Sequence, residues 1–378
     1  MRISVKLPRV EIAGERTATV CPYCGGQHFK AHGQKAEAKA LRDPEYQQVT
    51  SRRWKCLGCR RTFRVYPVGV SGAQQSDRLK AMSVLLYVLG LSYGGVADFL
   101  SALGHPLGKT TVYENVQATG VASRQRQANR PPTPRTVIGA DATYFTVQGE
   151  KIGVQVVVDD MTNELLGLEI ISSERQEHIL PLIRQIAEAY QAEVMVSDDW
   201  GSYQAIADEL GLAHQICRTH VKRNVDQRAE RIRHRIALTP LVPDGVDSDA
   251  ERLEQDVQAL QDLIRQRPDD ANQRLQTLYH RYQAAVPPPK ANQTHSAWYL
   301  MRLLIVHLWD RWQRLTLDQR RDDLDGTNNS CERLIGWWFK ERSRTMRGYK
   351  RTESIRNVGT LTCTLASATA FDMACLFA

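Results

Sequence analysis

Residues 136–158 read TVIGADATYFTVQGEKIGVQVVV, two apolar, β-branched runs joined by Gln148-Gly149-Glu150. The pattern predicts strands over Thr136–Val147 and Lys151–Val158 with a tight turn between them. A third run, Glu164–Ile171, follows Asp159-Asp160-Met161-Thr162-Asn163 and completes a meander in which Asp159 and Asp160 read as turn residues. Beyond it, Glu174–Tyr190 carries Ile179, Leu182, Ile183, Ile186 and Ala187 on one helical face. Glu193–Val196 reads as a short buried strand, Tyr203–Leu210 as a second helix and Ala213–Cys217 as a fifth strand. The order βββαβαβ is α/β, a mixed sheet whose fourth and fifth strands require helical crossovers.

Two aspartates stand out on that frame. Asp141 sits inside the first strand, where an acid is costly unless it meets a cation or good hydrogen-bond donors. Asp198 ends the fourth strand, which is expected beside the first, so the two converge. Asp199 is the competitor, or simply the cap of the next helix. Oxygen ligands suit Mg²⁺ or Mn²⁺, and two-ion phosphodiester chemistry needs a bridging carboxylate and a further acid. Glu332 is the candidate. Asn329-Ser330-Cys331-Glu332 fits a capping box equally well, with Asn329 as cap. The setting favours a metal ligand, because Glu332 heads a stretch containing Arg333, Lys340, Arg342, Arg344, Arg347, Lys350 and Arg351. Such a stretch suits a DNA backbone track, although any one of these residues could merely be solvated.

The chain has 378 residues, 42% of them apolar, which suggests two to four domains with ordinary cores. Its net charge is +8. Residues 1–66 contain fourteen Lys/Arg and five Asp/Glu, so the excess lies there and the remainder is near neutral. An anionic partner is expected, most simply nucleic acid. No signal-peptide pattern is present, and Glu11 and Glu15 argue against a transit peptide. The apolar run around Met82–Leu91 is too short to cross a bilayer, so no membrane role is expected. The expected setting is cytoplasmic, where ordered cysteine spacing points to metal instead of disulfides.

Cys21-Pro22-Tyr23-Cys24 and Cys56-Leu57-Gly58-Cys59 supply that spacing. Two CxxC knuckles make one tetrahedral zinc site with no open position, hence a structural Zn²⁺ in a zinc ribbon. His28 and His32 lie between the knuckles and read as surface or packing residues. Asp77–Leu89, a short helix through Val96–Leu103 and a helical pattern over Lys109–Thr119 have the layout of a helix-turn-helix. Lys109, Thr110, Thr111 and Tyr113 are its candidate DNA contacts; Asn115 belongs to the same pattern. A plain helical bundle is the alternative. Residues 128–135 form a proline-stiffened linker. Residues 223–320 read as an all-helical insertion broken at Leu241–Ser248 and Ala285–Lys290, with Ser296–Trp312 a buried helix. A last helix begins near Asn329, and Gly359–Ala378 is apolar and rich in Thr and Ala.

Asp141, Ser197-Asp198 and Asn328–Glu332 resemble the three-acid motif of bacterial insertion-sequence DDE transposases. The strand order likewise resembles the ribonuclease H-like fold of polynucleotidyl transferases. Cys217-Arg218-Thr219-His220 looks like the Cys-x-x-His motif of the mutator-like branch, which also carries a helical insertion between the second and third acids. Lys340–Tyr349 is similar to the basic tail that follows the glutamate in several such families. Where these families place Lys or Arg seven residues after the glutamate, this chain has Phe339, with Lys340 next. The resemblance spans residues 136–357. It implies metal-dependent DNA strand cleavage and transfer by Asp141, Asp198 and Glu332. Cys217 and His220 would support the site or touch the DNA end. The implied partners are inverted-repeat ends, target DNA and further copies of the chain in a dimer or larger assembly, near the bacterial nucleoid. From the residues alone, Cys217 and His220 could instead be half of a second zinc site with His214 and Cys331. Cys363 and Cys375 read as core cysteines.

The expected organisation is a zinc ribbon over 1–70 and a helix-turn-helix over 71–128. A catalytic core over 129–222 and 323–378 would flank a helical insertion over 223–322. A non-catalytic or domesticated DNA-binding regulator is the rival from another class, and a nuclease that cuts without joining is the second.

Overall fold

A computed structural model describes residues 3–12, 16–33, 36–71, 74–238, 246–288, 294–346, 348–366 and 370–377. Its N-terminal strands are β1 (Val5–Lys6), β2 (Phe29–Ala31), β3 (Glu37–Arg42), β4 (Gln48–Cys56), β5 (Thr62–Val65) and β6 (Gln74–Gln75). Strand β4 pairs antiparallel with β2, β3 and β5, so the second cysteine knuckle is the turn of the β4–β5 hairpin. Among the described residues the core here consists of Val10, Leu41, Val49 and Val70, with Tyr46 and Tyr66 packed against it. So few apolar residues leave the module in need of another tether.

Three helices follow: α1 (Asp77–Val88), α2 (Tyr93–Ala102) and α3 (Lys109–Ala128). Ser76 and Ser92 cap the first two by accepting from the amides of Leu79 and Gly95. Helix α3 runs well past Thr119, where the sequence pattern fades. A side chain at Gly120 would lie 2.7 Å from Asn357, so the glycine admits close packing of a later helix that supports the extension.

The central sheet contains β7 (Val137–Val147), β8 (Glu150–Asp159), β9 (Leu165–Ile171), β10 (Val194–Ser197) and β11 (Ala213–Ile216). Its order is β11-β10-β7-β8-β9. Gln148 and Gly149 both take positive φ, 53° and 90°, the turn geometry that closes a two-residue hairpin between twisted strands. Strands β7, β8 and β9 are antiparallel neighbours, whereas β10 runs parallel to both β7 and β11. The intervening crossovers are α4 (Gln176–Tyr190) and α5 (Gly201–Leu210). The mixed βββαβαβ sheet expected from the sequence is therefore present.

Helices α4 and α5 cover one face through Ile179, Ile183, Ile186, Tyr203 and Ile206. The other face, with Val154, Val156 and Val158, shares a core with α1–α3 and the C-terminal helices. Helices α1–α3 thus do not form a free-standing bundle. The helical insertion has its own core on α6 (Arg218–Ala237), α7 (Val246–Gln266), α8 (Ala271–Tyr282) and α9 (Ala297–Leu315). It begins five residues earlier than the composition suggested, because β11 ends at Ile216 and Arg218 already starts α6 after Cys217. Residues 239–245 and 289–293, which overlap the two expected breaks, lie outside the described residues.

The chain then forms α10 (Asn329–Leu334), a π-helical turn over Ile335–Lys340, α11 (Glu341–Thr345) and α12 (Thr352–Leu365). Gly359–Leu365 thus belongs to a helix, and β12 (Phe371–Asp372) pairs parallel with β1. Cys363 is half-buried, but Cys375 is exposed and no core residue: the short helical turn after β12 buries Met373 and Leu376 instead.

Candidate active site

Strand direction gathers the chemistry at one edge. Strands β7, β9, β10 and β11 point the same way, so residues leaving the carboxyl ends of β9, β10 and β11 share an edge of the sheet. Val196 lies opposite Gly139. Asp141 follows Gly139 by two residues in β7 and Asp198 leaves β10 just after Ser197, which brings the two carboxyls close enough to repel one another.

Both carboxyls are pushed above their ordinary range, Asp141 to about 7 and Asp198 to about 6. Burial is the main cause in each case. Asp198 adds repulsion at Asp141, and Glu174 adds it at both. The opposing influences are the His220 imidazole and one backbone amide each, from Ala142 at 2.8 Å and Trp200 at 3.2 Å. Neither aspartate is paired with Lys or Arg among the described residues. Half-buried carboxylates that repel one another without a Lys or Arg partner fit a divalent cation, whose charge would reverse the repulsion.

Glu332 reaches this edge on α10, which docks directly on β7. The Asn328 side chain donates to the Ala140 carbonyl at 3.1 Å, and a side chain at Gly139 would meet Asn328 and Cys331 at 3.1 and 3.3 Å. The capping box is not formed: the cap is Asn328, and it makes no side-chain capping bond. The Glu332 carboxylate turns to His220, with 3.5 Å between Oε1 and Nδ1. Among the described residues, Cys217, His220 and Glu332 bring ligand atoms within 4.8 Å of one another, a set that includes neither aspartate. The pairing of Cys217 and His220 with His214 and Cys331 is not made. His214 instead lies 2.8 Å from the Ser197 hydroxyl, and burial and Arg314 push its imidazole down to about 3.

Asp199 faces the other way. Arg311 Nε donates to it at 2.6 Å, His307 Nε2 lies at 2.8 Å and Asn224 Nδ2 at 3.4 Å. It neither caps α5, which starts from Trp200, nor joins the other acids. Asp159, expected in the turn, is instead the last residue of β8, where it accepts from the Met161 amide and the Thr162 hydroxyl, and Asp160 begins the turn. Sequence reasoning missed Glu174, which lies just past β9 at the same edge as Asp198. The Trp200 indole donates to its backbone carbonyl at 3.2 Å. Strand parity carried that signal: the third strand runs parallel in direction to the first, so its exit lies beside the acids.

At the N-terminus, Cys21–Cys59 and Cys24–Cys56 sulfurs are each 3.7 Å apart, and all four gather within 4.8 Å. A tetrahedron with metal–sulfur bonds near 2.3 Å has edges of roughly 3.8 Å, so the four thiols could hold zinc. His28 and His32 are exposed, outside the cluster.

Of the candidate DNA contacts, Lys109, Thr110, Lys340 and Arg344 are exposed and Thr111 is half-buried. Tyr113 lies edge-on to Tyr93 and accepts a hydrogen bond from Arg351 at 3.1 Å. Asn115 is buried and bonded to Gln75 and Ser83, which removes it from any DNA-facing surface. Arg342 is also no surface contact. Its guanidinium lies 3.9 Å over the Tyr87 ring and donates to the Leu91 carbonyl at 2.9 Å. Phe339 is fully buried where the related motif has a basic residue, and Arg347 lies outside the described residues.

No helix among the described residues is long and apolar enough to cross a membrane. No curated protein matches the chain. Solved structures with similarity include the catalytic core domain of BIV integrase, at 14% identity, 46% of this chain, 82% of that chain and TM-score 0.18. Another is the simian T-cell lymphotropic virus intasome, at 13%, 57%, 67% and 0.20. At those TM-scores neither likeness bears on the fold or the site. A family model described as Transposase IS66 family matches residues 74–345. The chain belongs to that family.

Proposed function

We propose that this member of the transposase IS66 family cleaves DNA at the ends of its element and joins the freed 3′-OH to target DNA. The reading rests above all on Asp141 in β7 and Asp198 just past the end of β10, two half-buried carboxylates that repel one another and have no Lys or Arg partner among the described residues. They would hold the divalent ions, Mg²⁺ or Mn²⁺, with Glu332 closing the set from α10 and Glu174 as a fourth acid. Bound there, a cation pair supplies activation of the attacking oxygen and stabilisation of the leaving one. Glu332 needs only a local side-chain change to leave His220 for the aspartates, because its helix is bonded to the Asp141 strand. The Trp200 amide on Asp198 and the Ala142 amide on Asp141 hold those carboxylates in place before DNA arrives. His220, half-buried beside them, tempers their repulsion.

The four thiols would hold a structural Zn²⁺ in a ribbon. With the exposed start of α3 and with Lys340 and Arg344, the ribbon would bind the element's ends. Synapsis of two ends requires more than one copy of the chain. The expected setting is the bacterial cytoplasm, at the nucleoid. The test is a Mg²⁺-dependent assay on DNA carrying the element's ends. Wild type should nick and join, while Asp141→Asn and Asp198→Asn should bind the ends and do neither. Cleavage without joining would make the protein a nuclease. End binding with no metal-dependent chemistry in wild type would make it a regulator.

A further inference from the structure

We propose that Cys217, His220 and Glu332 form a second transition-metal site, taking Zn²⁺ or an ion of similar preference, separate from the four-cysteine cluster. Its three ligand atoms lie within 4.8 Å of one another. His220 Nδ1 and Glu332 Oε1 are both buried without a hydrogen-bond partner, 3.5 Å apart. Leaving such atoms buried and unsatisfied is unfavourable, and a bound cation would satisfy both. A tetrahedral ion with metal–nitrogen and metal–oxygen bonds near 2.0–2.1 Å has a ligand edge of roughly 3.3 Å. The pair therefore stands slightly wider than a zinc edge and too far apart for a good hydrogen bond.

The cradle is rigid. The Cys217 amide donates to the Ser197 carbonyl at 2.8 Å, and the Arg218 amide donates to the Gly326 carbonyl at 2.9 Å, tying β11, β10 and the approach to α10 together. The Cys-x-x-His spacing across the start of α6 brings both side chains to one side of its first turn. A thiolate, an imidazole and one carboxylate favour Zn²⁺ over Mg²⁺, which prefers oxygen alone. Three protein ligands leave one tetrahedral position open.

The consequence rests on the function proposed above. Glu332 is shared, so an ion held by Cys217 and His220 draws its carboxylate away from Asp141 and Asp198. Zinc at this site would hold the DNA-free protein in a resting arrangement.

The experiment is metal analysis of the full-length protein, loaded with Zn²⁺ and dialysed without DNA. Wild type should retain about two zinc ions per chain, whereas Cys217→Ser and His220→Gln should each retain about one. Circular dichroism and a thermal melt check that the variants fold. Substituted with Co²⁺, wild type minus His220→Gln should show an absorption difference from a site containing a single thiolate. Glu332→Gln should weaken the second zinc at least tenfold in competition with a chromophoric chelator. One zinc per chain in wild type, unchanged in folded Cys217→Ser or His220→Gln, overturns the site. Because stoichiometry is read without DNA, two zincs with no strand transfer would sink the transposase reading and leave this site standing.

Discussion

Arg311 donates from Nε to the carboxylate of Asp199 at 2.6 Å, fastening the helical insertion to the residue beside Asp198. The Asp199 side chain is 2% exposed and that of Arg311 19%. This bond crosses from the residues just after β10 to α9, so it joins the insertion core to the sheet edge that carries Asp198.

Breaking one side of a buried pair typically costs about 3–5 kcal/mol, because the other charge is left stranded. Asp199→Ala should accordingly lower stability in urea by about 3 kcal/mol, and a double mutant with Arg311→Met should recover part of the loss. Burial pushes the Asp199 carboxyl up, but His307 and Arg311 outweigh it and hold it below the usual range. Its stabilisation is present above the unfolded carboxyl value and lost as pH falls through the lower folded one. Acid should therefore loosen the insertion. Strictly additive losses in the cycle would show the two side chains to be uncoupled.

Asp141 titrates with the opposite sign. Its folded value is raised to about 7, so the metal-free protein loses stability as pH rises through that value. Asp141→Asn should raise the metal-free stability at pH 8 by about 2 kcal/mol after discounting for solvent, read as a higher melting temperature, while abolishing DNA cleavage. Mg²⁺ should stabilise wild type and not the variant. A lower melting temperature in folded Asp141→Asn would contradict the repulsion.

Glu174→Gln should reduce strand transfer at least tenfold at saturating DNA and leave end binding intact. Wild-type rates, measured in both Mg²⁺ and Mn²⁺, would remove Glu174 from the site.

Zinc removal should unfold the N-terminal module before the rest. Binding by four thiolates contributes roughly 10–16 kcal/mol in apparent terms, far more than so small a core provides. Cys56→Ser should lose the proteolytic protection of residues 16–66 while the central sheet keeps its own; an equally protected module would mean that zinc is dispensable there.

The two arginines of α11 should separate cleanly. Changing Lys340 and Arg344 to Ala should flatten the salt dependence of DNA binding by about two phosphate contacts. Arg342→Ala should cost about 2 kcal/mol of stability, through its contacts with Tyr87 and Leu91, and leave the slope unchanged. The reverse pattern would put Arg342 on the DNA.

Local chemistry made much of this molecule readable in one dimension. Period-two runs, a Gln-Gly turn and paired CxxC knuckles depend on neighbours a few residues away, so the meander, the crossovers and the cysteine cluster could be placed without coordinates. The meeting of Asp141 with Asp198 was legible too, since it follows from which strands adjoin. The use of each charge was not legible. Asp198 and Asp199 are the same residue type one position apart, yet one faces the other acids and the other is held by Arg311, 112 residues on. Arg342 and Arg344 differ in the same way, one under the Tyr87 contact and one in solvent. The length of α3 depends on Gly120 meeting Asn357, and Glu332 gave up a capping role when Asn328 bonded to β7. A charged side chain carries no local mark of whether it will be buried; only the element that packs over it decides, because desolvation and pairing are set by partners distant in the chain.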